Sequence, residues 1–145
     1  MNNTDEIQRR INQKIDSATV AYMNDSKWRK LFDALRNYAG NINGMQLKFV
    51  HDERILPTFG VPGPYEEHEV GLGDEMPAPY APFREIEFLL IPKKCQHPNT
   101  DQNRALPDLQ NDLFPLKKHL DKIAKFPIQF CEDGSIKILG YSWSS

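Results

Sequence analysis

The residues best equipped for chemistry in this chain lie in one stretch: Glu66, Glu67, His68, Glu69, Asp74 and Glu75. Neighbouring carboxylates can divide the roles of general acid and general base, and with an imidazole they can hold a hard cation. Either use needs several of them turned to one point, and adjacent loop residues need not share a direction. Other candidates are thinner. Cys95 and His97 form a Cys-x-His pair without the paired short spacings of a structural zinc site. Cys95 with His97 or His119 as base is a conceivable nucleophile, but two cysteines and four histidines allow such a pairing on paper in any chain. Glu85 and Glu87 alternate as they would on a solvent-facing strand. A P-loop, a nucleotide-binding glycine motif, a Gly-x-Ser-x-Gly elbow and a His-Glu-x-x-His helix are all missing. Neither metal nor cofactor is expected. A small enzyme, hydrolytic and using loop carboxylates with His68, is the weaker alternative, and a non-catalytic assembly module is a third.

The acids belong to a segment of unusual composition. Between Arg54 and Arg84 there is no lysine or arginine, so residues 55–83 carry −5, against +2 for residues 1–54 and +1 for residues 84–145. Six of the eleven prolines and four of the eight glycines fall here, interleaved with Phe59, Tyr65, Leu72, Met76, Tyr80 and Phe83. A connection this long inside a compact domain is usually functional or disordered. Disorder is disfavoured, because six bulky apolar residues would stand in water. A meandering surface connection, with a short extra strand near Ile55 to Phe59, is the plainer alternative. We read the loop as a binding surface. Prolines lower the freedom lost on association, aromatics supply contact area, and carboxylates pair with cations of a partner. The contacts expected are Glu66, Glu67, Glu69, Asp74 and Glu75 as charges and Tyr65 and Tyr80 as anchors. The partner would be a basic protein.

The elements that must carry this loop are legible from periodicity. Thr4 reads as the N-cap of a first helix, with Asp5 and Glu6 at its positive end. Ile7, Ile11, Ile15 and Ala18 give that helix a narrow apolar stripe, which suits an edge position. Ser26 caps a second helix whose face is Trp28, Leu31, Phe32, Leu35 and Tyr38/Ala39, with Gly40 as its C′ residue. Met45, Leu47 and Phe49 alternate as a half-buried strand. Residues 84–91 form a strand with Ile86, Phe88 and Leu90 on one face and Leu89 and Ile91 on the other, as a central strand would have. Residues 93–106 read as polar loop. Leu113, Leu116, Leu120 and Ile123 mark a third helix, starting near Asp112 so that Pro115 falls in its first turn. Asp133-Gly134 between two alternating runs signals a two-residue type I′ hairpin. The fold class expected is α+β: two N-terminal helices, a mainly antiparallel sheet of about four strands, and one helix before a C-terminal hairpin. All of residues 1–145 form one domain, with the acidic loop at 55–83.

Composition sets the outer bounds. The chain has 145 residues and 16.8 kDa, enough for one core without staples. Its longest uninterrupted aliphatic/aromatic run, Phe88 to Ile91, is far short of the roughly 18 residues of a membrane span. No apolar leader opens the sequence, and two cysteines fit a reducing cytoplasm. A net charge of −2 and a pI near 6.1 argue against nucleic acid as partner. Lys117, Lys118, Lys122 and Lys125 read as a solvated helix face, with Lys93 and Lys94 just before it.

Three segments together, Lys27-Trp28-Arg29-Lys30-Leu31-Phe32, Ile86-Glu87-Phe88 and Gly134 to Tyr141, resemble a loose group of small bacterial α+β proteins. That group includes proteins assigned as immunity proteins of polymorphic toxin systems. The resemblance covers about a third of the chain and lies mostly in core elements. It implies a small cytoplasmic domain that captures and blocks a cognate toxin, of which a nuclease type would be basic. Immunity proteins diverge strongly, so no family binding residues are carried over.

Overall fold

The computed structural model describes residues 3–58, 67–68, 71–72, 81–97 and 99–143. In chain order the elements are α1 (Asn3–Asp16), β1 (Val20–Ala21), α2 (Asp25–Arg36), β2 (Gln46–Phe49), β3 (Ile55–Pro57), β4 (Glu67–His68), β5 (Gly71–Leu72) and β6 (Ala81–Pro82). A 3-10 turn (Phe83–Glu85) leads into β7 (Ile86–Ile91), followed by β8 (Lys94–Cys95), β9 (Leu109–Gln110), α3 (Leu113–Asp121), β10 (Ile128–Phe130), β11 (Ile136–Leu139) and β12 (Tyr141–Ser142). The fold is α+β as expected. Its main sheet has five strands, one more than predicted, in the order β10-β11-β7-β2-β3, every neighbour antiparallel. The fifth strand is β3, the short extra strand that the plainer reading of the loop placed near Ile55 to Phe59; it lies at the edge, where Pro57 is tolerated. No helix among the described residues is long and apolar enough to cross a membrane.

One face of the sheet is covered by α2 and α3. Trp28, Leu31, Phe32, Ala34 and Leu35 of α2 join Leu113, Leu116 and Leu120 of α3, and Leu47, Ile86, Leu89, Ile91, Ile136 and Ile138 of the strands, in one buried cluster. The expected face of α2 is therefore real, but its ends differ. Asn24, not Ser26, is the N-cap, accepting from the Lys27 amide at 2.7 Å. The helix stops at Arg36 with Asn37 as C-cap, so Gly40 lies beyond it and Ala39 is exposed. Likewise α1 begins at Asn3, which puts Thr4 inside the helix. In α1 Ile11 is buried, Ile15 half-buried and Ile7 exposed, which fits a helix at the edge.

β7 occupies the middle of the sheet, but its faces divide otherwise than simple alternation predicts. Lys48 pairs with Phe88 while Phe49 pairs with Ile86, so Glu87 is the extra residue of a bulge. The bulge turns Ile86 to the face of Leu89 and Ile91, all three fully buried in the helix-covered core. Phe88 and Leu90 remain on the opposite face. There the Lys137 ammonium stands 4.4 Å from the centre of the Phe88 ring, and Lys48 pairs with Glu87 at 2.9 Å.

The C-terminal hairpin forms in the predicted place with a longer turn. Phe130 pairs with Ile136, Cys131 N–H donates to Ser135 O (2.8 Å), and Gly134 N–H returns to Cys131 O (3.0 Å). The turn therefore starts at Cys131, which puts that thiol outside the strand, and Gly134 supplies the left-handed residue at φ +89°. Gly140 serves a different need: a Cβ there would overlap the Ile86 carbonyl, across which β11 leaves β7. Ile123 was expected to extend the α3 stripe, yet the helix ends two residues earlier and Ile123 is exposed. Residues 93–106 are not all loop, since β8 pairs with β9. A last ladder, β1 with β12, brings Val20 opposite Ser142.

Candidate functional site

Both ends of the acidic segment are fixed to the body of the fold. At its start, β3 pairs with β2 through Leu56 and Leu47, and the Thr58 amide donates to Met45 O at 3.0 Å. At its end, β6 runs directly into Phe83, which is fully buried and stacks on Phe32 with ring centres 5.9 Å apart. Between these anchors lies a small antiparallel sheet in the order β4-β5-β6. Glu67 pairs with Leu72, His68 with Gly71, Gly71 with Pro82 and Leu72 with Ala81. The plainer expectation of a meandering connection is thereby refined: two of its stretches join the strand before Phe83 in a ladder.

Of the predicted contact residues, Glu67 falls on β4, the strand at the outer edge of this ladder, and its side chain lies outside the described residues. Tyr65, Glu66, Glu69, Asp74, Glu75 and Tyr80 also lie outside the described residues. His68, the imidazole of the enzymatic alternative, shares β4 with Glu67, again without a described side chain.

The cations nearest to the segment in sequence are engaged with the body. Arg54, the last before it, donates from Nε (3.0 Å) and Nη2 (2.8 Å) to Asp52. Those hydrogen bonds, with the one from the Arg54 amide, hold the Asp52 carboxyl far below the usual carboxylate range. Arg84, the first after it, donates from Nη1 to Asn12 Oδ1 of α1 at 3.0 Å. Its carbonyl accepts from the Tyr141 hydroxyl at 2.7 Å, and burial raises that phenol's pKa. Lys48 is taken by Glu87. The lysines of α3 are similarly occupied: Lys117 pairs with Asp121 at 2.6 Å, and Lys118 lies 4.7 Å from the centre of the exposed Phe114 ring.

Among the described residues no three His, Cys, Asp or Glu side chains converge as a metal site would require. Both cysteines are free and half-buried. The expectation that Glu85 and Glu87 face solvent is corrected. Glu85 belongs to the 3-10 turn, 8 % exposed, with its Oε1 3.7 Å from His51 Nδ1, and Glu87 is the paired bulge residue. A signal for this existed in Phe83 and Ile86, whose three-residue spacing suits a turn of helix better than a strand. Comparison with protein-family models, with curated proteins and with solved structures finds no match.

Proposed function

We propose that this chain is a protein-binding inhibitor, an immunity protein that neutralises a cognate bacterial toxin in the cytoplasm by presenting residues 55–83 to a basic surface. The observation that carries the reading is the pairing of composition with anchoring. A segment of charge −5 is tied to the core at both ends, through β3 on β2 and through Phe83 on Phe32, while Arg54 and Arg84, which bracket it, spend their guanidinium groups on Asp52 and Asn12. An acidic, aromatic-bearing surface held this way can cover the cationic substrate groove of a nuclease-type toxin and exclude its substrate, with no catalytic group of its own. Single-sign charge also speeds encounter, so association should slow as salt rises. Free Cys95 and Cys131 accord with a reducing compartment.

The test is co-expression with whichever toxin-like open reading frame genome sequencing finds immediately upstream of the gene; with none there, the function has no cognate target. The chain should restore growth and co-purify with that product. The triple variant Glu66→Lys, Glu67→Lys, Glu69→Lys should lose both while unfolding at the same temperature. Growth rescue that survives the triple reversal would remove the loop from the mechanism, and absence of rescue by the unaltered chain would remove the function.

A further inference from the structure

Helix α1 carries a second surface, of the opposite charge. Ile7, Ile11 and Val50 line a cavity of about 420 Å³, and Arg10, Lys14 and His51 stand around it. Ile11 and Val50 are 5 % and 3 % exposed yet belong to no part of the main core cluster, while Ile7 is 52 % exposed. The floor is thus apolar, and Ile7 is the part of it that stands open to water. Its volume lies within the ~300–1,000 Å³ range of small-molecule sites.

The rim is held in place by the fold. Lys14 sits with its ammonium 5.3 Å from the centre of the Trp143 ring, and the Trp143 indole N–H is shared between Lys14 O and Ser17 Oγ, each at 3.1 Å. Lys14 has no carboxylate partner among the described residues. His51 packs its ring against Phe49, and its Nδ1 lies 3.7 Å from the Glu85 carboxylate, whose side chain is 10 % exposed. Arg10 is the least committed to the cavity, because Glu6 takes its Nε at 3.2 Å. Three nitrogen-bearing side chains around three aliphatic ones call for a ligand with one anionic end and one apolar end. Among the described residues the floor is three aliphatic side chains, a patch suited to a small ligand's tail rather than to the ~800 Å² that each partner of a stable protein interface buries.

We infer that this cavity binds a small amphipathic carboxylate, its aliphatic tail on Ile7, Ile11 and Val50 and its headgroup between Lys14, Arg10 and His51. The site is separate from the acidic segment and stands without it. A free carboxylate suits the rim because lysine and arginine donate charge-assisted hydrogen bonds to it, while the tail removes the exposed part of Ile7 from water.

The experiment titrates the full chain with sodium decanoate below its micellar range, reading Trp143 fluorescence and backbone amide shifts. Trp28, buried in the core at 2 % exposure, reports the integrity of the fold in the same sample. A saturable fluorescence change is expected, with amide shifts confined to residues 7–14, 50–51 and the neighbourhood of Trp143. Decyltrimethylammonium, of equal chain length and opposite charge, should bind roughly tenfold more weakly or worse. Lys14→Gln should weaken decanoate by about tenfold on the same grounds. Ile7→Glu, at an exposed position, should abolish binding with the thermal midpoint unchanged. Failure to saturate, shifts spread over other faces, or equal binding of the ammonium would overturn the assignment.

Discussion

The five-stranded and three-stranded sheets of this protein are held by different means. In the larger, β7 is paired on both sides and contributes Ile86, Leu89 and Ile91, all fully buried, to a core roofed by α2 and α3. In the smaller, each strand has two residues, and the ladder meets the body through the 3-10 turn that starts at Phe83. Two-residue strands bury little and cannot stand alone in water. The contrast separates two kinds of sequence constraint. Residues of the large sheet answer to packing in the core, whereas the two-residue strands of the small sheet answer mainly to backbone pairing.

The largest effect that tests this division should come from the core. Phe32→Ala removes the ring lying between Trp28 and Phe83, and should cost about 3–5 kcal/mol in a denaturant titration. It should also loosen the acidic segment, since Phe83 is that segment's anchor. A loss confined to well under 1 kcal/mol would mean the core is not continuous there.

Gly140→Ala is the next in size. The added Cβ would press on the Ile86 carbonyl, a backbone group on the central strand, while Gly140 N–H already donates to Glu87 O at 2.7 Å. Overpacking of this kind costs about 1–3 kcal/mol. Thermal unfolding of the variant checks it.

Reversal of Glu66, Glu67 and Glu69 should change stability by no more than about 0.5 kcal/mol, the range of surface substitutions. Under the proposed function the same variant should lose binding to a basic toxin, and the lost affinity should shrink as salt is added. A large loss of stability instead would place those carboxylates among the groups holding the fold.

The smallest expected effect concerns pH. Hydrogen bonds from Ser135 hold the Asp133 carboxyl below its ordinary value of 3.8. A carboxyl depressed in the folded state binds fewer protons there than when unfolded, so its contribution is present above that ordinary value and fades as pH falls through the folded one. Asp133→Asn should therefore lower the thermal midpoint slightly at neutral pH. The gap from the unaltered protein should close below about pH 4. A gap that is independent of pH would assign the effect to geometry.

The pieces legible from residue order were those decided within a few neighbours. The apolar face of α2, the alternation of β2, the hairpin around Gly134 and the helix beginning beside Asp112 all follow from local period, caps and turn residues. Misreadings fell where a distant group intervened. The bulge at Glu87 is set by pairing with β2, and it reverses the side to which Ile86 points. Burial of Glu85 depends on His51 and on the turn after Phe83. Asn111 looks like an ordinary loop residue, yet it is 7 % exposed and donates to Asn43 O and Pro92 O at 2.7 Å each, clipping two distant turns.

Of the candidate sites, the acidic segment was visible at once, because charge and proline content are properties of composition. Its attachment was not: that Phe83 stacks on Phe32, 51 residues earlier, requires the folded chain. The cavity on α1 was invisible, since Val50 and His51 reach Ile7 and Ile11 across about 40 positions of sequence. Periodicity, capping and net charge are local sums, so the chain carries them openly as α+β elements and a −5 segment. Bulge register, the burial of Glu85 and the meeting of α1 with the end of β2 arise from pairing and close packing between remote segments, and only the assembled fold decides them.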